Sequence, residues 1–142
     1  MSAIATKALL PALLLSVSVV SACGGDGRDT DGAFLVFERS KPASSSRLII
    51  ERDGSAVIEH DSDVLDEQTA SLQVGRRTRA KLRRALRDFP PSEEPEGEAD
   101  GRTEYALSYR GTTVEWRDGA VPVGLEDAVR LVNRVLGRIG FA

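Results

Sequence analysis

The chain has 142 residues, with 19 basic and 22 acidic side chains, a formal charge of −3 and 41% hydrophobic residues. That length suits one domain, and the acidic balance argues against a general nucleic-acid binder, which carries a basic surface. A single cysteine and a single histidine exclude a disulfide framework within the chain and a Cys/His zinc site.

Residues 1–22 read as a targeting segment. Lys7 supplies a positive n-region, Ala8–Val20 an apolar run too short to span a bilayer comfortably, and Ser21 and Ala22 a small-residue processing site. Val20-Ser21-Ala22-Cys23 resembles the bacterial lipobox, in which the cysteine is lipidated and becomes the mature N-terminus. A disulfide would need a partner cysteine, and an uncleaved anchor would need a longer apolar run. Lipidation accounts for both the position of Cys23 and the small residues before it. The resemblance implies a lipid anchor in the cell membrane through Cys23 and a domain on the extracytoplasmic face. Two or more acyl chains give stable attachment, at about 0.8 kcal/mol per buried CH₂. Cleavage removes one positive charge and no acid, which takes the formal charge from −3 to −4.

Residues 23–32 are a polar tether. Their Gly-Gly-x-Gly-x-Asp pattern matches the start of a calcium β-roll repeat, but such a roll needs stacked copies, so the segment reads as a flexible spacer. Residues 33–142 form the predicted domain. Phe34–Glu38 is a strand candidate. Ser40, Lys41, Pro42, Ala43, Ser44, Ser45 and Ser46 are predicted as a polar loop, long for a hairpin connection. Arg47–Arg52 and Ala56–His60 flank Asp53-Gly54, a strong hairpin signal. A short strand is predicted over Ser71–Val74.

Arg76–Phe89 is predicted helical, because Thr78, Leu82, Ala85, Leu86 and Phe89 share one arc at 100° per residue. Pro90-Pro91 ends it. Ser92–Arg102 is an acidic loop without core residues. Thr103–Tyr109 and Thr112–Arg117 alternate as strands about Arg110-Gly111. Leu125–Gly137 is the last helix, with Glu126 and Asp127 in its first turn and Gly137 as its C-cap. Five or six strands and two helices, with no repeating strand–helix–strand rhythm, predict an α+β domain: an antiparallel sheet with both helices on one face. Trp116, Tyr105 and Leu136 are expected in the core.

The candidate chemistry is sparse. Glu59-His60-Asp61-Ser62-Asp63 is the one cluster of histidine with acids, yet it fails calcium-loop spacing and lacks zinc partners. No Gly-x-Ser-x-Gly elbow places a serine near a base. The acids Asp88, Glu93, Glu94, Glu96, Glu98 and Asp100 fall on or beside a loop rather than facing each other across a cleft. No catalytic residue, metal site or cofactor is expected. Arg76, Arg77, Arg79, Lys81, Arg83, Arg84 and Arg87 put seven cations on the outer arc of the first helix. On an anchored domain such a face suits anionic head groups; the alternative is neutralisation by the acidic loop that follows.

RLIIERDGSAVIEH, LQVGRRTRAKLRRALRDF, ADGRTEYALSYRGTTVEW and GAVPVGLEDAVRLVNRVL together resemble the emfourin-like family of small inhibitors of thermolysin-type metalloproteases. They correspond to a hairpin, a first helix, a central strand pair and a final helix led by proline. Where that family carries a glycine-rich turn after its first strand, this chain has Ser40–Ser46, with Pro42 and no glycine. The resemblance implies a non-catalytic domain that binds an extracytoplasmic metalloprotease, with Ser40–Ser46 as the contact.

Overall fold

The computed structural model describes residues 32–91 and 101–140. The leader, Cys23, the tether up to Asp31 and the acidic residues 92–100 lie outside the described residues. The elements, in chain order, are β1 (Ala33–Lys41), β2 (Ser44–Glu51), β3 (Ser55–Ser62), β4 (Gln68–Gln73), α1 (Arg76–Ala85), β5 (Glu104–Tyr109), β6 (Thr112–Arg117) and α2 (Glu126–Gly137). The strands form one antiparallel sheet in the order β4-β3-β2-β1-β5-β6. The first four strands are a meander. The chain then returns through α1, and β5 pairs on the other side of β1. The domain is α+β, with both helices on one face of the sheet.

Strand alternation explains that asymmetry. Leu35 and Phe37 pair with Ile50 and Leu48 of β2, which pair in turn with Ala56 and Ile58 of β3. On the other side Phe37 pairs with Leu107 and Leu35 with Tyr109. All eight are buried in one cluster with Leu82 and Leu86 near α1 and with Leu125, Ala128, Val132, Val135 and Leu136 of the last helical segment. Trp116 and Leu136 are buried as expected, whereas Tyr105 is half-buried and stacked on Trp116 at 5.5 Å between centroids.

Two turns follow from local chemistry. Gly54 has φ +95°, and a Cβ there would lie 2.7 Å from the Val74 carbonyl oxygen, so the Asp53-Gly54 turn needs glycine. Arg110 and Gly111 both have positive φ, 53° and 78°, the requirement of a two-residue type I′ turn.

Three sequence expectations need correction. Ser40–Ser46 is not a loop. Ser40 and Lys41 pair with Ser45 and Ser44, and Ser44, Ser45 and Ser46 pair on their other side with Ser62, Asp61 and His60. Pairing on both sides of β2 overrides the weak strand propensity of serine, and only Pro42-Ala43 turns the chain. The first helix stops at Ala85 rather than Phe89. Arg87 and Phe89 donate backbone N–H groups to Arg84 and Leu86 in tighter turns, which carry the Phe89 ring onto Tyr109, edge to face at 5.8 Å. In the last helix Gly137 is helical, and the positive-φ glycine is Gly140 at 78°. The intervening turn lets Ile139 pack against the core.

Candidate functional site

In an antiparallel sheet of this order, the start of β1, the β2–β3 turn, the β5–β6 turn and the start of α1 share one end. Arginines from the two turns meet there with one from the last turn of α1. Arg52 from the β2–β3 turn, Arg110 from the β5–β6 turn and Arg83 from α1 line a hollow of about 290 Å³ with Ala33, Phe34 and Tyr109. The Arg83 guanidinium lies 5.3 Å from the Phe34 ring centroid and that of Arg110 lies 5.1 Å from Tyr109. The two rings meet edge to face at 5.6 Å. Aromatic faces hold the cations in place without neutralising them, and no carboxylate lines the hollow among the described residues. Phe34 reaches this position because the β1–β2 register shifts between Ala33 and Leu35. Guanidinium groups so arranged suit phosphate or carboxylate oxygens.

A second cationic feature lies between the helices. Lys81 and Arg84 of α1 face Arg130 and Arg134 of α2 across a groove of about 360 Å³, with Ala85 and Leu131 at its floor. Asp127 is the acid of the groove and pairs with Arg130 at 3.3 Å. Helical spacing of three to four residues sets these side chains on one face.

The arginines expected on the outer arc of α1 therefore divide. Arg76, Arg77 and Arg84 are exposed. Arg79 turns inward and donates from Nη1 to the Arg52 carbonyl oxygen at 2.6 Å, which ties α1 to the β2–β3 turn. Arg83 belongs to the aromatic hollow. Arg87 is exposed but lies beyond the helix. Arg52, Arg110, Arg130 and Arg134 complete the two cationic features, and sequence reasoning did not assign them to either.

At the opposite end, the β1–β2 hairpin exposes Ser40, Lys41, Pro42, Ala43 and Ser45, with Ser44 half-buried. The Asp63 N–H donates to the Ala43 carbonyl at 3.1 Å and braces the tip against the β3–β4 turn. Ser46 leaves the predicted contact set, because it is only 5% exposed. Its Oγ lies 2.9 Å from His60 Nδ1, the spacing of a nucleophile and its base, but burial denies a substrate approach. Strand alternation also disperses the Glu59–Asp63 cluster, placing Glu59 and Asp61 on the face opposite His60. Among the described residues no group of three or more His, Cys, Asp or Glu could hold a metal ion.

Near the same end the Tyr105 hydroxyl donates to Asp118 Oδ1 at 2.6 Å. Burial, then this bond, pushes the Tyr105 phenol up to about 12, while the Tyr105 and Thr103 hydroxyls hold the Asp118 carboxyl below its ordinary range. On the helix-free face Glu38 pairs with Arg47 and Glu104 with Arg117, both at 2.9 Å. That face is therefore of mixed charge where the helix side is cationic.

No protein-family model matches this chain, and no curated protein matches it either. Among the described residues no helix is long and apolar enough to cross a membrane.

Proposed function

We propose that this chain is a lipid-anchored, extracytoplasmic binding domain without catalytic function, and that its helix side rests on an anionic envelope surface. The observation that carries the reading is the sharing of cations. Arg52, Arg83 and Arg110 ring Phe34, immediately beside Ala33, where the tether joins the domain. Lys81, Arg84, Arg130 and Arg134 flank the groove on the same helix layer. The ten residues from Cys23 to Gly32 span at most roughly 35 Å, so a lipidated Cys23 keeps this side within reach of head groups. Each cation near the surface adds about 1 kcal/mol.

The test uses the chain from residue 24 with vesicles of phosphatidylglycerol and phosphatidylcholine. Binding is expected at low salt, absent on phosphatidylcholine alone, and at least tenfold weaker with Arg83, Arg84, Arg130 and Arg134 changed to Glu. In cells, Cys23→Ser should leave the membrane fraction or remain as precursor. Absence of vesicle binding by the wild-type chain at low salt refutes the surface reading. Continued lipidation of Cys23→Ser refutes the anchor.

A second reading is supported by the hairpin. Its tip is exposed, braced and remote from the cationic end, so it is free to meet a protein while the helix side is occupied. The emfourin-like resemblance makes that protein a thermolysin-type metalloprotease.

A further inference from the structure

We propose that the free edge of β4 pairs with β4 of a second copy of this chain, antiparallel about a two-fold axis normal to the sheet near Ala70 and Ser71. Among the described residues β4 is outermost in the sheet and is bonded only to β3, so one side of its backbone carries donors and acceptors that no other described strand takes up. Protein sheets ordinarily blunt such an edge with charge, proline or a bulge. Gln68-Thr69-Ala70-Ser71-Leu72-Gln73 has no charged residue and no proline. Its register with β3 runs unbroken from Ser55↔Gln73 to His60↔Gln68. The other edge, β6, does carry charge, in Glu115 and Arg117.

Beside this edge the β3–β4 turn holds out an apolar pair. Val64 is 88% and Leu65 55% exposed. They are fixed there, because the Leu65 N–H donates to Ser62 Oγ at 3.0 Å and the Asp63 N–H to Ala43.

Charge identifies the occupant. Exposed Asp63, Asp66 and Glu67 precede β4, and exposed Arg76 and Arg77 follow it. An antiparallel second copy brings the acidic end of each strand alongside the arginine end of the other, twice by symmetry. A parallel strand would stack like charges. Side-chain alternation requires one residue to oppose its own copy, and centring the six-residue strand puts Ala70 there, with Thr69 against Ser71 and Gln68 against Leu72, or else Ser71. In the first register Leu65 comes beside Gly75 of the other copy, where a Cβ would have nothing within 4 Å. Both helix layers point the same way, so the pair forms one continuous sheet with a doubled cationic side.

The test is sedimentation of the full chain in mild detergent over a wide concentration range. Wild-type protein should show a reversible monomer–dimer equilibrium. Thr69→Lys with Ser71→Lys should raise the dissociation constant at least tenfold, and so should Arg76→Glu with Arg77→Glu. Adding Asp66→Lys and Glu67→Lys to the arginine reversals should restore dimer, since the swapped charges again oppose. Circular dichroism identical to wild type certifies that each variant is folded. A second measurement is independent of affinity: Ala70→Cys or Ser71→Cys should form a disulfide dimer under mild oxidation beyond the level of the wild-type chain, because directly opposed strand residues meet the required Cα separation. A chain that stays monomeric to about millimolar concentration, or a dimer indifferent to both the lysines and the charge reversals, overturns the proposal.

Discussion

Replacing Leu136 by alanine removes about three methylene-sized groups from the layer between α2 and the sheet. Leu136 is 2% exposed and lies in the cluster with Ala128, Val132 and Val135. At about 0.8 kcal/mol per buried CH₂ the transfer loss is about 2.4 kcal/mol. The residual cavity adds about 24 cal/mol per Å³, and the two together fall within about 2.7–5.0 kcal/mol for such changes. α2 has the sheet on one side only, so it can settle inward and shrink the cavity. The expected cost is therefore about 3 kcal/mol, near the low end of that range. Urea unfolding of the wild type and of Leu136→Ala, with Arg130→Ala as an exposed control, reads the difference. The midpoint should fall with the slope unchanged, while the control should stay within about 0.5 kcal/mol. A Leu136→Ala cost below about 0.5 kcal/mol would show that α2 does not pack on the sheet through this residue, and the single-core account of the fold would fail.

The Tyr105–Asp118 pair gives a pH prediction of definite sign. The Tyr105 phenol is raised in the folded state to about 12, so it contributes stability below its ordinary value near pH 10 that is lost as pH climbs toward 12. Asp118 is lowered, so its contribution holds above the ordinary carboxylate range and is lost as pH falls through it. Tyrosinate absorbance of the wild type minus that of Tyr105→Phe should show one titration near 12; a step near 10 would refute the Asp118 contact. For the hairpin, titration against a panel of thermolysin-type proteases should give stoichiometric inhibition that is lost on changing Pro42 and Ala43 to Gly; no inhibition of any panel member removes the protease reading.

The parts of the fold legible in the sequence are those fixed by local chemistry. Asp53-Gly54 and Arg110-Gly111 mark their turns because such turns need positive φ, which Gly54, Arg110 and Gly111 have. Leu125–Gly137 reads as a helix because its apolar residues recur on one face, and the helix begins one residue later than the pattern does. Ser40–Ser46 departs from its expected loop for the complementary reason. Its composition favours a loop, and what makes it strand is pairing with β1 and β3, which composition does not encode. The cationic features fall between these cases. The arginine run of α1 is plain in the sequence, but Arg52 and Arg110 are far apart along the chain. One signal could have joined them: in an antiparallel sheet with β5 against β1, the β2–β3 and β5–β6 turns must lie at the end where β1 begins.

A formal charge of −3 is compatible with a cationic surface because the charges are segregated. The acids Asp63, Asp66 and Glu67 precede β4 and Arg76, Arg77, Arg83 and Arg84 follow it. Six residues of strand separate the groups by about 20 Å, more than twice the Debye length of about 8 Å at physiological ionic strength. At that distance the acids of the turn do little to offset the attraction between the arginines and an anionic surface. The same separation makes the edge self-complementary. Pairing through β4 would bring Asp63, Asp66 and Glu67 against Arg76 and Arg77 of the other copy and would not engage Lys81, Arg84, Arg130 or Arg134 on either. Self-association would thus consume the charges at the ends of the strand without competing for those in the groove. Dimerisation and surface binding should therefore reinforce each other, because each pair would carry two grooves on one side and the second groove would bind at the effective concentration set by the first.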